Sequence, residues 1–211
     1  IELKPITGVI RALQNEKFRD LFLTSFIYLA AFSMMQITVA LLWEEHYGLN
    51  EAEIGYMFAF VGLSSAIVQG TMVGWLSRTF GEPRLMLMGA VFCGLGLLTT
   101  PFVPSEYFMP LALIPMALLA FANGCMMPSI SSLLSRNATN KEQGQVLGMN
   151  QSFGSLARIA GPTLGGFLYG RHYTAPYIGG AVLMVGALIF IISYQRAGRG
   201  RLPAIHAAES P

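Results

Sequence analysis

The side chain in the most unusual chemical setting is an arginine in the middle of an apolar segment. Arg158 lies in the stretch 146–169, and at ~1.5 Å rise per residue it would sit on the order of 20 Å from either end of a helix. A guanidinium at that depth in a membrane costs at least a few kcal/mol unless it faces protein or water. The pattern therefore favours a solute path or binding site. The residues that share its helical face are Gln151, Ser155, Pro162 and Gly165.

Three roles for Arg158 follow from this setting. Its guanidinium could attract an anionic or electron-rich group of a solute. It could instead pair with a carboxylate from another part of the protein. It could also hydrogen-bond the backbone carbonyl groups near Gly161 and Pro162, because a proline lacks the N–H that would hold one of them. The sequence leaves all three roles open.

The elements that must position these residues are long apolar helices. The chain is 54% hydrophobic and 11% charged, with a mean hydropathy of +0.55, whereas a soluble domain carries roughly 25% charged residues. Six apolar stretches each approach or exceed the ~20 residues that a membrane-spanning helix needs. The sequence predicts an all-α membrane protein with six transmembrane helices at about 21–43, 54–76, 85–103, 108–134, 146–169 and 175–194.

Lysine and arginine are concentrated in alternate connections, which predicts that both chain termini are cytoplasmic. Residues 1–20 would then be a cytoplasmic loop segment, and residues 196–211 a disordered cytoplasmic tail. Because the chain starts with Ile1, we expect a fragment whose upstream portion is missing. The basic residues on the cytoplasmic side would be Lys4, Arg11, Lys17, Arg19, Arg78, Arg84, Arg136, Lys141, Arg196, Arg199 and Arg201.

Polar side chains are unequally distributed among the six segments. The third and sixth are apolar on every side and could face lipid, whereas the first, second, fourth and fifth each carry amides at mid-membrane depth. Each amide could hydrogen-bond a neighbouring helix, but the shared pattern favours an amphipathic cavity wall. The predicted path residues are Tyr28, Phe32, Gln36, Gln69, Met116, Asn123, Met127, Asn150, Gln151 and Arg158.

Acidic residues are absent from the six predicted spans. Proton coupling needs a group that titrates within the membrane, and arginine does not lose its proton in proteins. A proton-coupled cycle would therefore need a carboxylate from elsewhere.

Other functional classes fit the sequence less well. An intramembrane protease needs a histidine near a membrane serine, but His46, His172 and His206 lie outside the predicted spans. The sequence has no acid-rich or paired-histidine metal motif and no glycine-rich phosphate loop, so no catalytic residue, metal or cofactor is expected. No nucleic-acid partner is expected either. A channel is disfavoured by the lack of a repeated filter sequence.

Two segments resemble signatures of the major facilitator superfamily. The run from Gly154 through Arg158, Gly161 and Pro162 to Gly165-Gly166 resembles the G-x-x-x-G-P-x-x-G-G motif of its drug:proton antiporters. A second run resembles the cytoplasmic-loop motif G-x-L-x-D-R-x-G-R-R and contains Gly74, Gly81 and Arg84. Gly74 and Gly166 also belong to small-xxx-small pairs, Gly70/Gly74 and Gly166/Gly170, that would let helices approach closely.

The loop segment departs from the motif at its charged positions. Arg78 stands where the motif has aspartate, and Glu82 and Pro83 replace two basic positions. The glycine turn remains, but the aspartate-centred ion pair of the motif cannot form in the same way. Any gating salt bridge at this loop is therefore in doubt.

The resemblance implies the C-terminal half of a twelve-helix transporter, built as a 3+3 inverted repeat, and is greatest to the tetracycline-resistance-like antiporters. It implies proton-coupled export of amphipathic organic compounds from a bacterial inner membrane. The implied partners are a small-molecule substrate, protons, the lipid bilayer, and either an N-terminal six-helix half in the same chain or a second copy. A uniporter or symporter for another small solute, or a structural subunit or channel, remains the alternative.

Overall fold

A bundle of six long helices makes up the part of the chain that the structure describes. This computed structural model describes the backbone of residues 16–199 and the side chains of residues 18–196, so most of the predicted loop segment 1–20 and tail 196–211 lies outside it. No strand occurs in the described range, which confirms the all-α class. The helices are α1 Glu16–Tyr47, α2 Glu51–Phe80, α3 Glu82–Thr99, α4 Phe108–Asn137, α5 Gln143–Tyr169 and α6 Ala175–Arg199.

Five of the six described helices are long and apolar enough to cross a membrane. The exception is α5, whose 27 residues exceed the ~20 needed but include several glutamines, Asn150 and Arg158. These polar residues lower its hydropathy. The polar stripe of α5 therefore makes its hydropathy lower than that of the other five helices.

The helices pack in a fixed order of neighbours. α1 lies against α5 and α6 along much of its length and also touches α4. α3 packs on α4 and α6, and α2 packs mainly on α4. α1 contributes many of the most deeply buried large side chains, among them Trp43, Tyr28 and Phe22. α1 is therefore the central helix of the bundle, held between the pair α5 and α6 and the helix α4.

Close contact between α1 and α5 depends on glycine. A Cβ at Gly161 would collide with the backbone oxygen of Ala30, and one at Gly165 would come within 2.8 Å of Cγ of Met34. At Gly154 a Cβ would meet Cδ1 of Leu29 at 3.0 Å. Only a residue without a side chain lets the two backbones approach this closely. We call this row of contacts the glycine seam (Gly154, Gly161 and Gly165).

Two other motif glycines do not have the packing role predicted from the sequence. A Cβ at Gly74 or at Gly166 would meet no other atom within 4 Å. Gly166 lies on the exposed side of α5, one position beyond the seam, and Gly74 lies on an exposed part of α2. The prediction of close helix contacts at these two positions is therefore wrong for the described bundle.

The cytoplasmic-loop motif does form the predicted tight turn. Gly81 connects α2 to α3 with φ of +79°, in a region that glycine adopts at little cost. Its N–H donates to the carbonyl of Ser77 (3.0 Å), which satisfies a backbone group at the end of α2. Arg84 follows in the first turn of α3 and is exposed.

The main helix irregularity lies in α2, where the sequence contains no proline. Residues Val68–Met72 form a π-helical turn between two α-helical stretches. Here α2 is pressed against α4, since a Cβ at Gly124 would lie 2.6 Å from Cγ1 of Val68. The prolines at 115, 128 and 162 lie inside continuous helices. A π turn inside a helix frequently marks a functional position.

A buried acidic residue lies near the beginning of α1, just before the span predicted from the sequence. α1 begins earlier than predicted, so Asp20 lies within the apolar span Phe18–Tyr47. It is only 6% exposed, and one carboxylate oxygen is 3.3 Å from Nε of Arg19. The boundary at residue 21 missed it, because charged residues at the end of an apolar run resemble a loop.

Candidate solute path

One group of the predicted path residues is buried in the bundle and joins its helices. The hydroxyl of Tyr28 in α1 donates to Oδ1 of Asn123 in α4 (3.1 Å), and the Tyr28 ring stacks on Phe32 at 5.8 Å between centroids. Tyr28 is 0% exposed, so it cannot contact a solute in this conformation. For Asn123 the structure thus shows the helix–helix hydrogen bond that the sequence left as the alternative.

Other predicted path residues are also withdrawn from the surface. Met116, Phe32 and Asn150 are buried, and Met127 is partly buried among the helices. The Oδ1 atom of Asn150 has no hydrogen-bond partner among the described residues. In this conformation these side chains face neighbouring helices, and their place in a solute path stays a prediction.

A second group of predicted path residues remains exposed: Gln36, Gln69, Gln151 and Arg158. They come from three helices, α1, α2 and α5. Gln69 lies within the π-helical turn of α2, so the one irregular turn of that helix carries its mid-span amide.

Helices α1 and α5 run parallel, and this allows their exposed side chains to be related. Phe22 stacks on Phe153 in the first halves of the two helices, with ring centroids 5.2 Å apart. At the opposite ends, the hydroxyl of Tyr169 donates to Oε2 of Glu45 (2.9 Å). Between these points, Gly161 lies against Ser33 in the glycine seam.

Gln36 and Arg158 therefore lie on the same side of this seam. Gln36 is three residues after Ser33, and Arg158 is three residues before Gly161. Because the two helices are parallel and face each other, moving three residues forward on α1 and three residues backward on α5 turns both side chains toward the same side of the seam. Six residues of axial rise separate them, or about 9 Å. We call this exposed row the polar edge (Gln36, Gln151, Ser155 and Arg158).

The predicted stripe on α5 is divided by this packing. Gln151, Ser155 and Arg158 are exposed, whereas Pro162 is partly buried and Gly165 is buried against Met34. Gly165 lies at the border between the stripe and the seam, and the lack of a side chain there lets α1 cover it. The prediction that all five residues face one polar path is wrong for Gly165.

Arg158 has no partner within the part of the chain that the structure describes. Its guanidinium makes no hydrogen bond or ion pair with any residue from 18 to 196. The carbonyl groups near Gly161 and Pro162 are therefore not bonded to it. Of the three roles considered for this arginine, the structure offers no support for backbone bonding.

An ion pair that was not predicted from the sequence connects the cytoplasmic-loop motif to α4. Oε1 of Glu82, at the start of α3, accepts from Nη1 of Arg136 (2.8 Å) and from the hydroxyl of Ser132 (3.1 Å), both in α4. Nearby, Nε2 of Gln195 in α6 donates to the carbonyl of Pro83 (2.7 Å). The replacement of a basic motif position by Glu82 was the signal, but the sequence alone did not identify its partner.

An aromatic cluster joins helix ends at the other side of the bundle. The ring of Tyr173, between α5 and α6, lies 4.0 Å from that of His46 at the end of α1 and 4.7 Å from that of His172. The Tyr47 hydroxyl donates to the carbonyl of Val103 (2.8 Å). These contacts, with the bond from Tyr169 to Glu45, hold α1, α5 and the α3–α4 connection together.

The long apolar helices of the bundle are those of an integral membrane protein that crosses the bilayer several times. The sequence profile of the Major Facilitator Superfamily matches residues 21–210. The chain therefore belongs to this superfamily of membrane transporters, as its two motifs indicated.

Curated relatives include proteins of drug resistance. The chain is 33% identical over 157 residues to the tetracycline resistance protein, class G, of Vibrio anguillarum. This alignment covers 72% of this chain and 38% of the relative. It is 29% identical over 206 residues to the multidrug resistance protein MdtG of Enterobacter lignolyticus (93% and 47%). Solute carrier family 22 member 18 of Mus musculus is also 29% identical, over 199 residues (92% and 46%). The chain spans about half the length, or less, of these relatives.

A solved structure shares the same fold. The human organic anion transporter MFSD10 (TETRAN) superposes with a TM-score of 0.75 at 24% identity, over 82% of this chain and 40% of that protein. This similarity concerns the fold.

Proposed function

We propose that this chain is the C-terminal six-helix half of a proton-coupled antiporter that exports amphipathic organic compounds by alternating access. The polar edge carries this proposal. It supplies amides and a cation along the side of a bundle whose remaining surface is mainly apolar. Such a combination suits a solute with an apolar body and a few polar groups. The drug-resistance relatives favour export, and a bacterial inner membrane is the proposed location.

The order of helix neighbours supports a 3+3 repeat. Such a repeat would relate α1 to α4, α2 to α5 and α3 to α6. It would turn the α1–α5 contact into the α4–α2 contact, and the α3–α4 contact into the α6–α1 contact. All four contacts are observed. The α3–α6 contact maps onto itself and is also present. In this arrangement α3 and α6 lie behind α1 and α4, and their exposed apolar side chains suit lipid.

Proton coupling in this proposal requires a carboxylate that the described helices do not place on the polar edge. α5 contains no Asp or Glu, and Asp20 is buried at the beginning of α1. We propose that the coupling carboxylate belongs to an N-terminal six-helix half, in the same chain or in a second copy. Both termini of this half would be cytoplasmic, in line with its basic connections.

Transport by purified protein in liposomes tests this function. We expect the full-length natural protein to accumulate tetracycline against its gradient when a pH gradient is imposed, and to stop when a proton ionophore collapses that gradient. The 211-residue chain alone should show no proton-coupled uptake, because it lacks the coupling carboxylate. Uptake by the full-length protein that ignores the pH gradient would indicate a uniporter. Robust coupled uptake by the chain alone would refute the half-transporter proposal, and Asp20→Asn would then identify its carboxylate.

A further inference from the structure

Arg158 is distinguished from every other charge in the described helices by its depth. All the other charged residues in α1 to α6 lie within five positions of a helix end. Arg158 lies 15 residues after Gln143 and 11 before Tyr169, or about 22 Å and 16 Å from the ends of α5. A permanent charge so far from bulk water requires a compensating group or a water-filled path.

No compensating group comes from the chain itself over residues 18–196. The described carboxylates all lie near helix ends or in connections, and three of them have partners there: Glu82 binds Arg136, Glu45 binds Tyr169, and Asp20 lies beside Arg19. Neither α5 nor the middle of α1, α2 or α4 contains an acidic residue. The polar edge therefore presents one positive charge that this half leaves unneutralised.

The surroundings of Arg158 suit a particular kind of ligand. The side chain of Ile159 (68% exposed), the next residue in α5, offers apolar surface at the border of this face. Gln151 and Ser155 lie within two turns on the same face, and their side-chain oxygen atoms and the glutamine amide can bind polar substituents. A guanidinium presents paired N–H groups that match the two oxygen atoms of a carboxylate or sulfonate.

We propose that the solute is an amphipathic organic anion whose carboxylate or sulfonate binds Arg158 while its apolar body lies against Ile159. This inference rests on the proposed transport function and specifies the charge of its solute. It does not depend on how transport is coupled, because anion binding precedes coupling and can be measured without a gradient.

Binding of two matched fluorescent probes to the full-length protein in lipid nanodiscs tests the inference. The probes are dansyl sulfonate, an anion, and dansyl amide, which has the same ring system without the charge. We expect the sulfonate to bind about tenfold more tightly than the amide, the ratio expected for one charge-assisted hydrogen-bonded pair. Arg158→Gln should weaken sulfonate binding about tenfold and leave amide binding within about twofold, and Arg158→Lys should restore part of the difference.

Arg171→Gln is the matched control, because it removes the same charge from the end of α5. There the guanidinium lies 4.1 Å from the Phe167 ring centroid, away from the polar edge, and the sulfonate affinity should stay unchanged. Equal affinities for the two probes, no sulfonate binding, or equal losses for both probes in Arg158→Gln would overturn the inference. Equal affinities for the two probes, together with intact proton-driven tetracycline uptake, would indicate that a carboxylate of the other half neutralises Arg158. The proposed transport function would then be retained. Failure of proton-driven uptake with an intact anion preference would instead reject only the coupling.

Discussion

At the scale of single residues, adjacent positions in α5 have opposite environments. Asn150 is buried with an unpaired oxygen, whereas Gln151 is exposed on the polar edge. Gly165 is covered by Met34, whereas a Cβ at Gly166 would have no other atom within 4 Å. Successive residues of an α-helix point about 100° apart, so one step along the sequence separates packing against α1 from exposure on the polar edge.

The ion pair between Glu82 and Arg136 gives a prediction at this scale. Because Glu82 is largely covered and its Oε1 atom also accepts from Ser132, Glu82→Gln should reduce the free energy of unfolding by about 1 kcal/mol. Arg136→Gln should cost less, since the arginine side chain is 69% exposed. Reversible unfolding in mixed micelles measures both changes.

The double variant provides the control for this pair. A coupling energy of about 0.5 kcal/mol is expected between two partly exposed charges. The exposed Arg84→Gln, which has no described ion-pair partner, should leave stability unchanged. Strict additivity of the two single changes would show that the contact does not stabilise the α3–α4 pair.

At the scale of helices, the glycine seam fixes α5 on α1. We expect Gly161→Ala to destabilise the protein by at least about 2 kcal/mol, because the new methyl group would collide with the Ala30 backbone, which cannot move aside as a side chain can. Thermal or denaturant unfolding of the purified protein measures the loss.

Gly166→Ala is the matched control on the same helix. It adds the same methyl group where no atom lies within 4 Å, and alanine favours helix over glycine by up to about 1 kcal/mol. Stability should therefore be unchanged or higher. Similar losses for both substitutions would contradict a steric seam and point to a general sensitivity of α5.

Helix number and approximate position could be predicted from the sequence, because long apolar runs are sufficient to identify them. Helix ends were less certain, and the beginning of α1 hid Asp20. The assignment of residues to faces could not be completed, because it depends on which neighbour packs where. Tyr28 and Asn123 are residue types that suit a cavity wall, but their side chains hydrogen-bond to each other where α1 and α4 are in contact. The π turn in α2 lies against α4 and has no proline to signal it.

At the scale of the whole molecule, the bundle buries α1 and leaves other helices exposed. α2 shows large apolar side chains along its length, including Tyr56 (74% exposed), Leu63 (66%) and Trp75 (64%). The polar edge of α5 lies within an equally exposed surface. Lipid is suited to the apolar part, and the proposed six-helix partner half would cover the remainder.

Membrane orientation gives a whole-molecule prediction. Cys93 and Cys125 are both buried, so single cysteines introduced at exposed loop positions can be labelled against a low background. With a membrane-impermeant maleimide on intact cells, Glu106→Cys should react and Asn140→Cys should not. Asn140→Cys should react only after the membrane is permeabilised.

The two unmodified cysteines serve as the control for this experiment. The parent protein should label only after denaturation. Reaction of Asn140→Cys in intact cells, with protection of Glu106→Cys, would reverse the predicted orientation and place the basic connections outside.

The rigid seam between α1 and α5 also sets a length requirement. Because glycine contacts hold the two backbones in register, the distance from Gln36 to Arg158 along the polar edge is constant at about 9 Å of axial rise. A molecule that engages both side chains must reach across that interval. In the proposed transport function, the seam would therefore set the spacing at which a solute meets the glutamine amide and the guanidinium.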